Sequence, residues 1–157
     1  MNFYLAQINI AKMKAPIDSP LMAEFVENLD TINSLAENSN GFIWRLKDES
    51  NNASSIKIYD DEFLIVNMSV WENAESLLHF VYQSDHVEIF KKRRKWFEQM
   101  KEMHMALWYT STDTLPSVTD AIERLDFLRL NGETPFSFTF KSKYTMEDAI
   151  KFKTSEK

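Results

Sequence analysis

Two sets of residues in this chain have types and spacing that could do chemistry. One is three histidines, His79, His86 and His104; the other is a group of amides and a hydroxyl recurring at alternate positions of two apolar runs. His79 and His86 lie in "FLIVNMSVWENAESLLHFVYQSDHVEIF", residues 63–90. Asp85 with Glu88 three residues later has the pattern of a capping box, which puts His86 in the first turn of a helix. The positive end of the helix dipole disfavours an imidazolium there, so a neutral ring suited to ligating haem or acting as a base is expected. The same position also suits a histidine that merely packs and hydrogen-bonds near a helix start. His79, seven residues earlier, would share a face with His86 only along an unbroken helix, and "QSD" argues for a break. His86 is therefore the catalytic candidate, and His79 reads as part of the fold.

The second set follows from strand geometry. With side chains alternating across a strand, Gln7 and Asn9 share one face of residues 3–10, and Asn67, Ser69 and Trp71 share one face of residues 63–71. If these strands are neighbours, the polar groups meet among aromatic side chains, and Trp44 and Trp108 are expected on the same face. A largely apolar cavity with a few convergent hydrogen-bonding groups is a small-molecule site. The alternative is a filled core in which these groups satisfy one another. Arg45 and His104 stand on neighbouring strands, where either face is open to them.

Other charged motifs are weaker. The run "KKRRK", residues 91–95, reads as a solvated helix face that could clamp an acidic ligand tail. Adjacent carboxylates in "YDDE", 59–62, diverge and make a poor metal pair. There is no HExxH, GxSxG or triad spacing, and the three histidines lack a zinc-like spacing, so no metal site is expected. Without cysteine the chain has no disulfide, thiolate nucleophile or Cys-ligated zinc. The two glycines, Gly41 and Gly132, each follow a helix and serve its end, leaving none for a phosphate-cradling loop. A formal charge of −6 opposes attraction to nucleic acid or an anionic membrane. The N-terminal residues lack a signal-peptide pattern and no apolar run could span a bilayer, so the expected location is cytoplasmic.

The elements that must position these groups can be read in order. Strands are expected at 3–10, 42–47, 63–71 and 104–110, with a short one at 55–59. A helix over 21–35 has Ser19 as cap and Pro20 at its first position; a second runs from Asn73 to Tyr82, and a third from Asp85 to Met100. This order is the split βαβ pattern of an α+β, ferredoxin-like antiparallel sheet, with 3–10 and 63–71 central. One sheet face packs on the helices. The other, carrying Phe3, Leu5, Trp44, Phe63, Ile65 and Trp108, is too apolar to leave wet, which predicts a homodimer closing a dimeric α+β barrel. The domain spans 1–111. Residues 112–145 add a helix capped by Ser117 and an extended segment with Phe136, Phe138 and Phe140 on one side, packed on the same domain; 146–157 form a tail.

The strings "AQINIAKMKAPIDSPLMAEFVENLDTINSLAENSNGFIWRL", "NMSVWENAESLLHFVYQSDHVEIFKKRRKWFEQM", "ALWYT" and "AIERLDFLRLNGETPFSFTF" resemble the bacterial domain-of-unknown-function family numbered 3291, over residues 4–140. The resemblance implies the dimeric α+β barrel superfamily, which includes antibiotic-biosynthesis-monooxygenase-like proteins that need no cofactor, haem-binding and haem-degrading enzymes, and small isomerases or dehydratases. The strand–Trp–helix–His string is also similar, more distantly, to haem-dependent carotenoid monooxygenases of the spheroidene type, which would make His86 an axial ligand or base. Two functional classes stay open: an enzyme oxidising an apolar or aromatic metabolite, cofactor-free or with haem, and a non-catalytic dimeric ligand-binding or structural domain.

Overall fold

Apolar alternation along residues 3–13 produces β1 (Phe3–Met13), the longest strand, and every later strand but one pairs with it. The structure is a computed structural model and describes residues 2–47, 59, 61–83, 88 and 91–155. A 3-10 turn, Pro20–Met22, leads into α1 (Ala23–Glu37). Ser19 caps this turn by its backbone alone; its Oγ is buried without a hydrogen-bond partner. Gly41 then takes a left-handed φ of 84°, as its place after the helix predicts.

β2 (Phe42–Arg45) and β3 (Leu64–Trp71) follow, then α2 (Ala74–Gln83), whose Ser76 N–H donates to Asn73 Oδ1 at 2.9 Å. The expected strand at 55–59 and the expected helix start at Asp85 lie outside the described residues, Tyr59 excepted. The long helix to Met100 is not formed. A single turn, α3 (Arg93–Trp96), gives way to β4 (Phe97–Glu98), where Met13 pairs with Phe97. Tertiary pairing overrides local propensity here, because the end of β1 extends past β5 and needs a partner. The Phe97 ring meets Phe25 edge-on at 5.0 Å.

β5 (Met105–Ser111) precedes α4 (Val118–Asn131), which opens with the capping box Ser117–Asp120 and closes at Gly132, φ 74°. The segment after α4 is not one extended run: Thr134 and Ser137 pair across a tight turn, which sets Phe136 against Phe127 and Arg124 of α4, while Phe138 bridges to Leu107 of β5 and Phe140 meets Tyr82 of α2. The stretch expected as a tail instead carries α5 (Met146–Ser155), whose start has reciprocal Thr145–Asp148 hydrogen bonds.

The sheet order β2–β3–β1–β5, all antiparallel, with β4 on the same edge of β1, is the ferredoxin-like arrangement. Its two faces are covered differently from expectation. α1 and α2 lie over the face of Leu5 and Trp71, packing Ala36, Leu77 and Phe80 against it. The opposite face, Ala6, Ile8, Ile10, Val66, Met68 and Val70, is covered by Ala121, Leu125 and Leu128 of α4. Among the described residues both sheet faces carry packed helices, and the expectation of a homodimer loses that basis. Among the described residues no helix is long and apolar enough to cross a membrane.

Candidate active or ligand-binding site

Antiparallel register sets the polar groups side by side. Gln7 pairs with Ser69 and Asn9 with Asn67, while Arg45 on β2 pairs with Ser69 from the other side. One row of the sheet therefore reads Leu107, Gln7, Ser69, Arg45, and the next reads Met105, Asn9, Asn67. Same-face neighbours across strands are within side-chain reach, about 5 Å between Cβ atoms.

Hydrogen bonds run along these rows. Trp71 Nε1 can only donate, and it gives its proton to Ser69 Oγ at 2.8 Å. Gln7 Nε2 donates to the same Oγ at 2.8 Å and to Asn67 Oδ1 at 2.6 Å. With two bonds accepted, Ser69 keeps its own O–H to give. Asn67 Nδ2 and the Asn9 amide have no protein partner among the described residues, and Asn67 is exposed although it stands mid-strand at the centre of the sheet.

What exposes it is a cavity of about 340 Å³ between this face and the helices. The floor is Gln7, Asn9, Asn67, Ser69 and Trp71; α1 supplies Phe25, Leu29 and Ile32, and α2 supplies Leu77 and Phe80. Arg45, Arg93, Trp96 and His104 also reach it. The amides thus sit beneath the helices, not on the face turned away from them. Trp44 and Trp108 do not belong to the site: Trp108 pairs with Ala6, Trp44 with Val70, and both join the core under α4. The expectation for these two residues followed their aromatic character alone; the register of β2 and β5 sets them on the other face.

The histidines separate as well. His79 is exposed on α2 and lines no part of the cavity. His86 lies outside the described residues. His104, undecided from the sequence, lines the cavity with Nδ1 3.3 Å from the Glu102 carbonyl oxygen. Sequence reasoning missed Arg93. The available signal was its place three residues before Trp96, which puts both on one side of a helical turn. Trp96 is buried against Phe25 at 5.6 Å, and Arg93 follows it inward while Arg94 and Lys95 stay exposed. Lys92 ties this turn to α1 through Glu24 at 2.7 Å; that hydrogen bond holds the Glu24 carboxyl below its usual range.

Among the described residues no three His, Asp or Glu side chains are grouped to hold a metal ion. Haem would require a broad slot and an axial imidazole. The described cavity is near the small end for organic ligands, a size for roughly two or three fused rings, and its one histidine, His104, is held by Glu102 at the edge.

Residues 4–154 match the profile described as Domain of unknown function (DUF3291). The chain belongs to that family. No curated protein matches the sequence. Among solved structures, the DUF3291 chain is similar to PA3566 from Pseudomonas aeruginosa, at 12% identity over 70% of this chain and 94% of that one, TM-score 0.45. It is similar to NE2512, a protein of unknown function from Nitrosomonas europaea, at 10% identity over 73% and 96%, TM-score 0.49. SnoaB, a cofactor-independent oxygenase from Streptomyces nogalater, shares 18% identity over 74% and 100%, TM-score 0.47. Likenesses at this level say nothing about what the DUF3291 cavity holds.

Proposed function

We propose that the protein binds a small, largely apolar or aromatic molecule between the sheet and α1/α2, and that the ligand's oxygen substituent is received by Ser69 and Asn67. The observation that carries this reading is unspent hydrogen-bond capacity on the floor of an apolar cavity. A polar group buried in a filled core finds partners; here the buried Ser69 keeps its hydroxyl proton, and with the half-buried Asn9 amide and the exposed Asn67 amide it lines open space beside Phe25, Leu29 and Phe80.

A finer reading, an oxygenase acting on that ligand, is favoured by the chemistry of the floor. Donors aimed at a phenolic oxygen stabilise its ionised form, and a ring so activated can reduce O2 directly. Oxidising a ring CH2 to C=O would retain one oxygen atom and release the other as water. His104 is the described group placed to take up the proton.

Native mass spectrometry of freshly purified protein tests the binding reading. A co-purified organic mass retained by the parent protein and lost in Asn67→Leu, with the fold unchanged, is the expected result. Titration with a panel of hydroxylated and keto polycyclic aromatics that yields no binding would overturn it. Oxygen uptake with any binder, abolished in His104→Ala, separates the oxygenase from a simple binding module.

A further inference from the structure

Resting on the binding reading above and deepening it, we infer that Phe140 sets the length of the ligand: a planar ring system held by its oxygen at Ser69 lies along the sheet row toward β5 and ends against an aromatic wall of Phe140 and Tyr82. The direction follows from the row itself. Arg45 stands beside Ser69 on β2, 7% exposed and bonded through Nε to Glu37 Oε1 at 2.8 Å, so its side chain occupies that side. In the other direction the row runs Ser69, Gln7, Leu107 along the cavity floor, two strand spacings or about 10 Å. That span suits roughly two or three fused rings, as the cavity volume does.

Phe140 is delivered there by the segment after α4, which passes around the β5 edge from one sheet face to the other. It starts with Phe136 against Phe127 of α4, ring centroids 4.7 Å apart. It is then clamped to β5, with Leu107 N–H donating to the Phe138 carbonyl at 2.7 Å and Phe138 N–H to the Leu107 carbonyl at 3.0 Å. Glu133 Oε1 accepts from Thr139 N–H at 2.7 Å and from Thr139 Oγ1 at 2.9 Å, and Tyr109 Oη donates to the Tyr144 carbonyl at 2.8 Å, so the backbone is tied on both sides of Phe140. Phe140 packs on the apolar cluster that holds Leu107, Phe138 and Leu77, and its ring meets Tyr82 of α2 edge-on, centroids 6.1 Å apart. Both rings line the cavity. Tyr82 is 61% exposed and its hydroxyl has no hydrogen-bond partner among the described residues, so the tyrosine is the member that can change rotamer. Phe140 is the fixed stop, and a ligand longer than the row must overpack against it.

Fluorescence titration of the full chain with 2-naphthol and with 2-hydroxychrysene, two and four fused rings carrying the same substituent, tests this directly. The parent protein is expected to bind 2-naphthol at least about tenfold more tightly, although the larger ring system has more apolar surface to bury. Phe140→Ala should bring the two affinities to within about threefold of each other, and Phe140→Leu should remove only part of the preference. Phe136→Ala, in the same segment but turned toward α4, should lower the melting temperature and leave the preference unchanged, which separates a stop in the cavity from general loosening of the segment. Circular dichroism confirms that each variant is folded. Equal affinity of both probes for the parent protein would overturn the length limit and leave the binding reading intact. A preference kept unchanged in both Phe140 variants, or lost equally in Phe136→Ala, would overturn the placement of the stop at Phe140. Binding of neither probe would overturn both readings.

Discussion

The two faces of one sheet are built from alternate residues of the same strands, yet they do opposite things. On the α4 side, Ala6, Ile8, Ile10, Val66, Met68, Val70 and Trp108 are at most 4% exposed and carry no side-chain polar group except the Trp108 indole. On the α1/α2 side, the residues between them are Gln7, Asn9, Asn67 and Ser69, and the packing opens into a cavity. The difference teaches that stability and binding are separated by strand parity. One face supplies the close-packed apolar interior that holds the sheet, which frees the other to keep polar groups that a core would reject.

The sharpest way to break this comparison is to damage the dry face. Trp108→Ala removes a side chain 1% exposed from the cluster under α4 and should cost about 3–5 kcal/mol, read as a lower urea midpoint. A loss below roughly 1 kcal/mol would mean that the α4 side is not the stability core.

The glycines that end the covering helices give a matched pair. Gly41 follows α1; a Cβ there would collide with the Ser76 side chain at the start of α2, and φ is already left-handed. Gly132 ends α4 with φ 74° and open space around it. Gly41→Ala should cost about 2 kcal/mol or more, from strain plus displacement of α2, and should loosen the cavity wall. Gly132→Ala should cost about 1 kcal/mol from backbone conformation alone. Thermal unfolding of both variants checks the order. Similar in size to the Gly132 change, Ser117→Ala removes the hydroxyl that accepts from Asp120 N–H at 3.1 Å and should cost about 1 kcal/mol, mostly by fraying α4.

Much of this architecture was legible in the sequence, and its failures have physical causes. The βαββαβ order, the central pairing of β1 with β3, the Ser117 cap and both left-handed glycines follow from local chemistry, and local chemistry is what a sequence displays. Which residues share a face was legible too, since Leu5, Gln7 and Asn9 do stand together with Ile65, Asn67, Ser69 and Trp71. Which partner covers that face was not, because periodicity carries no label for the element packed above it. Trp44 and Trp108 were assigned by aromatic character, where register decided. The short β4 depends on β1 outrunning β5, a long-range fact with no trace in "KWFEQM".

A pH effect probes the segment that closes the cavity face from the far side. Burial works against the charged form of Glu133, but hydrogen bonds from Thr139 N–H, Ser142 and Thr139 Oγ1, with the nearby Lys141 charge, outweigh it and hold the carboxyl below its usual value. A depressed folded-state pKa means the stabilisation is fully present above the unfolded value, near 4.5, and is lost as pH falls through the lower folded one. Since Glu133 anchors Thr139 beside Phe138, Glu133→Gln should flatten the acid limb of a Tm-against-pH profile and leave neutral-pH cooperativity intact. An unchanged acid limb would place the acid sensitivity elsewhere.

The smallest expected effect on stability is the one that most sharpens the contrast between the faces. Asn67 sits mid-strand in the centre of the sheet, where a hydrophobic-to-polar exchange would ordinarily be costly, yet its side chain is exposed and accepts only the Gln7 bond. Asn67→Leu leaves Gln7 Nε2 still bonded to Ser69 and adds apolar surface next to an apolar wall, so stability should change by no more than about 0.5 kcal/mol. Ligand retention should fall sharply in the same variant, because the donor facing the cavity is gone. Chemical denaturation and native mass spectrometry on one preparation decide it. A large stability loss with ligand retained would make Asn67 a structural residue and the floor a core, whereas the reverse pattern is what separation of binding from stability by strand parity requires.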